Sequence, residues 1–341
     1  MTRHFDVVVI GAGAFGTTLA SILSLAGRRV LINMRHQEQA DEINKRHTNE
    51  RYTKGFKLPK GLIADTDMQT AVKKTDIVLM VVPSKFFRPV AHTLGEVIRG
   101  DQILLHATKG IQIEPFKRMS EILHEETAAL KIGVLSGPNL SGEILAGKPA
   151  GAVIASRFDE VIKKTQAMFE GSQMRIYEVR DVTGVEVGGA FKNIIALAAG
   201  AVDGMELGDN IKSLLLTRGL NEMARFGIAL GAQPLTFLGL AGIGDLMATC
   251  ASRLSRNNQV GFRMARGESI EDIQSSMKHV AEGVTTARAV LARARQLGLD
   301  LHVVEGVNKA LYDGLSVHET MQWMLSGRPG REININLKEY L

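Results

Sequence analysis

The sequence predicts an α/β protein in two parts: an N-terminal, mostly parallel sheet over residues 1–183 and an all-helical C-terminal domain over 184–341. Three observations predict this. Short β-branched runs alternate with amphipathic segments through the first half, the pattern of βα units on a parallel sheet. A glycine-rich turn joins the first of these runs to the first helical segment. From about Val185 the alternation stops, and Ala, Leu and Met recur at helical period with glycines at the helix ends. The boundary falls at Asp181–Gly184.

The expected strands are Phe5–Ile10, Arg29–Ile32, Asp76–Val82, Gln102–Ala107, Lys131–Ser136, Ala152–Ala155 and Met174–Val179, with helices such as Phe15–Ala26 and Phe86–Ile98 between them. The first strand runs straight into Gly11-Ala12-Gly13-Ala14-Phe15-Gly16 and then a helix. This is G-x-G-x-x-G in the strand–turn–helix context that a dinucleotide site requires, which makes the sheet Rossmann-like. Gly11 is expected to make the tight turn, Gly13 to admit a pyrophosphate, and Gly16 to let the helix pack on the strand. The helix N-terminus then offers N–H groups and a positive dipole end to the phosphates.

The end of the second strand chooses between NAD and NADP, because an acid there binds the ribose 2′-hydroxyl and an arginine accommodates a 2′-phosphate. Val30-Leu31-Ile32 runs into Asn33-Met34-Arg35-His36, with no acid before Glu38. Arg35 can offer a planar fork to a phosphate that a carboxylate would repel, so NADPH is the favoured cofactor and NADH the alternative.

Composition sets the bounds around this core. With 45% hydrophobic and 23% charged residues in 341, fibrous, collagenous and wholly disordered chains are excluded. The net charge of +5 suits anionic small molecules as well as nucleic acid or a membrane surface. Cys250 is the single cysteine, so no intrachain disulfide forms. The apolar N-terminal run is interrupted by Gly11, Gly13 and Gly16, which argues against an export signal. Ile194–Val202, the longest stretch of small apolar residues, falls short of the ~20 residues that span a bilayer. A cytoplasmic protein without membrane insertion is expected, and the polar tail after Gly327 is expected to be loosely held.

Chemistry-bearing residues follow. A nicotinamide enzyme needs a group that moves a proton at oxygen while hydride moves at carbon. In Gly188-Gly189-Ala190-Phe191-Lys192-Asn193, Lys192 shares its helical face with Gly188, Gly189, Ile195, Ala196 and Ala199, a poorly hydrated place. Desolvation there would lower its pKa toward acid–base use. The pattern alone favours a structural lysine, whose stem lies along apolar surface and whose head reaches water. Downstream, Gly242-Ile243-Gly244-Asp245 and Ser255-Arg256-Asn257 place a carboxylate near a hydroxyl, a guanidinium and an amide, a plausible phosphate grip or simply a helix cap. Arg263 and Arg266 extend this basic stretch, but no interleaved aromatics support a nucleic-acid surface. Two loops follow expected strands, where ligands bind in open α/β sheets: one carries Lys109, the other Ser136-Gly137-Pro138-Asn139-Leu140-Ser141.

In this order and spacing the motifs resemble those of the NAD(P)-dependent glycerol-3-phosphate dehydrogenases of bacterial type, which supply phospholipid synthesis. The resemblance runs from Ile10-Gly11-Ala12-Gly13 to about Tyr312, through Val82-Pro83-Ser84, Ala107-Thr108-Lys109-Gly110, Ser136-Gly137-Pro138, the Lys192 and Asp245 motifs, Ser255-Arg256-Asn257 and Glu282-Gly283. It implies reversible NAD(P)H-dependent reduction of dihydroxyacetone phosphate to sn-glycerol 3-phosphate, by a homodimer that needs no metal. It also implies roles. Lys192 is the acid–base residue, which reverses the reading of that lysine as structural. Lys109, Gly137, Asn139, Lys192, Asp245, Ser255, Arg256 and Asn257 hold substrate; in the mechanism expected from this, Lys109 and Asn193 help polarise or orient it, and Asp245 holds the reacting hydroxyls or positions Lys192. Gly11, Gly13, Ala14, Phe15, Gly16, Arg35, Lys109, Ser141, Arg256, Val280 and Glu282 meet the cofactor. The chain departs from the family pattern at Asn139, where Ser or Thr is usual, and at Leu140-Ser141, where Phe-Ala is common. Asn33 replaces a frequent tryptophan, and Leu301-His302-Val303 replaces Met-Pro-Ile. Because Asn139 keeps a hydrogen-bonding side chain, its substrate contact is expected to survive. Three rival functions remain: an NADP-linked hydroxy-acid dehydrogenase of similar fold, a non-catalytic NADPH sensor, and a nucleic-acid binder.

Overall fold

The computed structural model describes residues 4–252, 255–277 and 281–326. Val280 and the tail after Gly327 lie outside the described residues. The chain divides into two compact units, the first comprising residues up to Lys109 together with Met119–Val182, the second Gly110–Arg118 together with the chain from Thr183 onward. The boundary expected at 183/184 thus needs one correction: residues 110–118 belong with the helices. Ile111 and Phe116 pack into the helical core, and Arg118 pairs at 2.7 Å with Glu186. Such a short segment has no period of its own, so nothing local marks which core it joins.

The first unit begins with β1 (Val7–Ile10), α1 (Ala14–Leu25), β2 (Val30–Asn33), α2 (Gln37–Arg46), β3 (Ile63–Asp65), α3 (Met68–Val72), β4 (Ile77–Met80), α4 (Phe87–Gly95) and β5 (Ile103–His106). After the ribbon β6 (Ile111–Gln112) and β7 (Lys117–Arg118) of the other unit, it continues with α5 (Met119–Glu126), β8 (Lys131–Ser136), α6 (Ser141–Leu145), β9 (Ala150–Ala155), α7 (Asp159–Phe169) and β10 (Met174–Val179). The eight sheet strands stand in the order β10-β9-β8-β5-β4-β1-β2-β3, and every pair is parallel except β8 with β9. With the ribbon set aside, the first six strands follow the 3-2-1-4-5-6 order of doubly wound sheets. The chain order reverses between β1 and β4, so the ligand crevice of such a sheet opens at their carboxyl ends.

Strand periodicity builds the two cores of this unit. Val7 and Val9 face Leu19, Ile22 and Leu23 of α1, while Val8 and Ile10 face the opposite cluster with Phe87, Ala91 and Leu94 of α4. A strand covered on both faces is apolar throughout, as β1 is.

The second unit holds α8 (Val182–Gly204), α9 (Gly208–Ala229), α10 (Asp245–Ala251), α11 (Arg256–Ala265), α12 (Ile270–Ser276), α13 (Glu282–Gln296), α14 (His302–Tyr312) and α15 (Val317–Ser326). Its axis is α8, which extends the apolar stretch noted in the sequence to 23 residues. That helix is long and apolar enough to cross a bilayer, yet 89% of its apolar window is buried inside the protein. It is a core helix, with Phe191, Ile194, Ile195 and Val202 all covered by neighbouring helices. Glycines let those neighbours come close. A Cβ on Gly200 would stand 1.9 Å from the Asn258 carbonyl oxygen, and one on Gly261 would stand 1.8 Å from that of Leu197. Helices α8 and α11 therefore cross backbone to backbone, which fixes where α11 starts.

Glu222 of α9 closes the start of α14 by accepting the N–H groups of Val303 at 2.8 Å and Val304 at 3.2 Å. Burial pushes its carboxyl up to about 7, against the pull of those two donors and of Arg225 and Arg218. The folded state therefore holds a proton that the unfolded chain releases near pH 4.5. Stability contributed by this group is fully present at acid pH and falls as pH rises from about 4.5 to about 7, by on the order of 3 kcal/mol. In chemical denaturation at pH 5 and pH 8, Glu222→Gln is expected to lose less stability across that interval than the parent protein. Equal losses would show that Glu222 does not titrate there.

Candidate active site

In the first unit the glycine-rich turn has the geometry its sequence implies. Gly11 has φ +110, and a Cβ there would lie 2.3 Å from the Val81 carbonyl oxygen. A Cβ on Gly16 would lie 1.9 Å from the Gly11 carbonyl oxygen, so only glycine lets α1 leave the strand so tightly. Gly13, by contrast, has open space beside it. It is also the N-cap of α1 and makes no side-chain cap, which leaves the first-turn amides from Ala14 to Gly16 directed at a ligand position. The room and donors fit a pyrophosphate. The turn is pinned from behind by residues that the sequence reading missed. Buried Asn49 donates to the Ala12 carbonyl at 3.1 Å and to Thr17 Oγ1 at 2.9 Å, and Gln39 donates to the same carbonyl at 2.9 Å.

Arg35 is exposed at the end of β2, with its guanidinium 5.5 Å from the centre of the Phe86 ring. Asn33, which replaces the family tryptophan, donates to the Asp65 carbonyl at 3.1 Å and so ties β2 to β3. Strand β3 has only three residues, too few to declare itself by period. Beyond β5, Lys109 Nζ donates to the Gly137 carbonyl at 2.7 Å and joins the two strand-end loops. Gly137 itself has φ +138 and sits 3.0 Å from Ala152 Cα by its would-be Cβ. The Asn139 amide donates to the Gly151 carbonyl at 3.0 Å, bracing the loop against β9. Ser141 opens α6.

In the second unit, Lys192 is 5% exposed and Asp245 is 1% exposed. Lys192 Nζ donates to Asp245 Oδ1 at 2.5 Å and to Thr249 Oγ1 at 2.7 Å. A buried ammonium requires a countercharge, and Asp245 supplies it. The sequence expectation of a lysine among small and apolar residues holds for its own helix face, and of the two roles open to Asp245 the geometry is that of a partner to Lys192, 53 positions away. Thr249, one turn after Asp245 on α10, was not expected. The close approach again depends on glycine: a Cβ on Gly188 would lie 2.5 Å from the Ala241 carbonyl oxygen, just before α10. Ser255 caps α11, accepting the Asn258 N–H at 3.4 Å, and Arg256 follows as the exposed first residue. Buried Asn257 accepts the Gly283 N–H at 2.9 Å through Oδ1. A Cβ on Gly283 would in turn lie 2.5 Å from the Asn193 carbonyl oxygen. Asn193 on α8, Asn257 on α11 and Glu282-Gly283 at the start of α13 thus converge around one spot.

Cys250 lies beside this pair on α10, and burial pushes its thiol up to about 12, against the pull of Lys192. It is therefore held as an inert thiol at neutral pH. Alkylation by iodoacetamide at pH 8 is expected to be at least ~100-fold slower in the native protein than in denaturant. Similar rates would mean that the site opens to solvent. Among the described residues, no group of three or more His, Cys, Asp or Glu could hold a metal ion.

A pyrophosphate-ready turn on a doubly wound sheet and a buried lysine–aspartate pair on a helical unit define the class of two-unit nicotinamide-dependent dehydrogenases. Comparison with known proteins narrows this. The family models described as NAD-dependent glycerol-3-phosphate dehydrogenase N-terminus and C-terminus match residues 6–162 and 181–322. A glycerol-3-phosphate dehydrogenase (NAD(P)+) of Pseudomonas fluorescens is 39% identical over 334 residues, covering 98% of each chain. One from Saccharophagus degradans is 40% identical over 335 residues, covering 98% of this chain and 94% of its own. The crystal structure of glycerol-3-phosphate dehydrogenase from Coxiella burnetii superposes with a TM-score of 0.90 at 30% identity, covering 95% of this chain and 99% of that one. The chain belongs to the NAD-dependent glycerol-3-phosphate dehydrogenase family.

Proposed function

We propose that this enzyme catalyses the reversible NAD(P)H-dependent reduction of dihydroxyacetone phosphate to sn-glycerol 3-phosphate, with NADPH as the preferred cofactor. Family membership across nearly the whole chain supports the reaction. The observation that carries the mechanism is the Lys192–Asp245–Thr249 cluster: a buried proton donor whose head is aimed by two partners. When bound, the nicotinamide supplies a hydride to the carbonyl carbon of the substrate. Lys192 then delivers a proton to the oxygen of that carbonyl as negative charge develops on it, and takes the proton back in the reverse direction. Asp245 holds the ammonium in place and supplies its countercharge, and Thr249 fixes its direction. Ser255, Arg256 and Asn257 grip the substrate phosphate at the N-terminus of α11, where guanidinium and helix amides together favour a dianion. That grip converts binding of the non-reacting phosphate into placement of the reacting carbon.

Lys109 and Asn193 orient the substrate. Asn139 braces its loop through one amide hydrogen on the Gly151 carbonyl and keeps the second amide hydrogen for the substrate. The cofactor is held by the turn from Gly11 to Gly16, by Arg35 and Ser141, and by Arg256, Val280 and Glu282 on the helical side. Arg35 at the end of β2, with no acid beside it in sequence, favours NADPH. The enzyme is cytoplasmic and homodimeric in this reading, and its product enters glycerophospholipid synthesis. Loss of NADPH absorbance on adding dihydroxyacetone phosphate, with matching appearance of glycerol 3-phosphate, tests the reaction. NADPH binding without turnover would instead make the chain a sensor.

A further inference from the structure

Arg35 alone is a loosely held phosphate ligand, being an exposed side chain at a strand end. The structure gives it company. Lys85 Nζ lies 5.8 Å from the centre of the same Phe86 ring that Arg35 approaches to 5.5 Å. Lys85 and Phe86 belong to the short turn Ser84–Phe86 that follows β4, and β4 flanks β1 on the side opposite β2. Two cations from the carboxyl ends of strands on either side of the glycine-rich strand therefore meet at one aromatic ring. Phe86 is 42% exposed, so it contributes little as a core residue. Among the described residues, neither Arg35 nor Lys85 makes an ion pair. Like charges gathered without a carboxylate oppose folding, and an incoming dianion would reverse that penalty. The adjoining helix α2 also starts without a side-chain cap at His36, leaving its first amides toward the same strand end.

We propose that Lys85 and Phe86 are specificity-determining residues that complete, with Arg35, the site for the 2′-phosphate of the cofactor's adenosine. Phe86 is the platform over which the Arg35 guanidinium sits, 5.5 Å from the ring centre, with its N–H groups available to phosphate oxygens. Lys85 is the second cation on the phosphate. The inference rests on the NADPH reading above and deepens it.

The test uses the full-length enzyme and two probes that need no turnover, 2′,5′-ADP and 5′-ADP, in titration calorimetry, alongside kcat/KM for NADPH and NADH. The parent protein is expected to bind 2′,5′-ADP more tightly than 5′-ADP. Lys85→Ala should weaken 2′,5′-ADP binding and kcat/KM for NADPH by about tenfold, the loss of one charge-assisted bond. It should leave 5′-ADP and NADH within about twofold. Phe86→Leu should give about a threefold loss confined to the 2′-phosphorylated ligands, the size of one exposed cation–π contact. Should Lys85→Ala leave the discrimination unchanged while the parent still prefers 2′,5′-ADP, Lys85 has no such role and the NADPH reading stands. A parent protein with no preference between the two probes overturns both.

Discussion

Replacing Lys192 with methionine lowers the rate of dihydroxyacetone phosphate reduction by about three orders of magnitude while NADPH still binds. The size follows from the job: a positioned proton donor contributes typically 10²–10⁴-fold. Methionine keeps the length and apolar stem of the side chain, so packing on α8 changes little. What remains is Asp245, 1% exposed and now without its partner charge. Removing the cation from a buried ion pair costs about 3–5 kcal/mol, so the single variant is also expected to melt earlier. The double variant Lys192→Met with Asp245→Asn separates the two effects, since it should recover stability without recovering turnover. Near-normal turnover in either variant would remove Lys192 from the chemistry.

Arg256→Ala is expected to raise the KM for dihydroxyacetone phosphate about 100-fold. A guanidinium can bind two phosphate oxygens at once, and two charge-assisted bonds at about 1.5 kcal/mol each correspond to that factor. The fold should be nearly indifferent, because the Arg256 side chain is exposed while α11 is fixed by the Ser255 cap, the Asn257–Gly283 bond and the Gly261 crossing. An unchanged KM would refute the clamp. The contrast with Lys192 is itself informative: one variant should act mainly on rate and the other mainly on affinity.

The fold was legible where physics is local. The βα alternation located every long strand of the sheet, and G-x-G-x-x-G marked the turn because Gly11 and Gly16 each meet a backbone carbonyl and Gly13 leaves open space. The site was legible as a set of motifs, but their joining was not. Lys192 and Thr249 are 57 positions apart, and no period on α8 signals that a carboxylate and a hydroxyl wait on α10. A hint lies in Gly188 on α8, whose missing Cβ leaves room for the Ala241 carbonyl just ahead of α10. Asn49 escaped notice for the same reason, since a buried asparagine that braces a turn looks in sequence like any loop residue. At Asn139 the residue type suggests a substrate contact but gives no sign of the bond by which one amide hydrogen also braces the loop against β9. Side-chain chemistry can be read from a sequence more readily than the partner that consumes it.

This enzyme is expected to reduce a ketone that it holds by a phosphate. The most direct measurement is the initial rate of NADPH oxidation with dihydroxyacetone phosphate set against the rate with dihydroxyacetone at the same concentration. A rate at least ~100-fold higher with the phosphorylated substrate is the expected result, since the phosphate grip is what places the carbonyl beside its hydride and proton donors. Equal rates on the two ketones, or none on either, would contradict it.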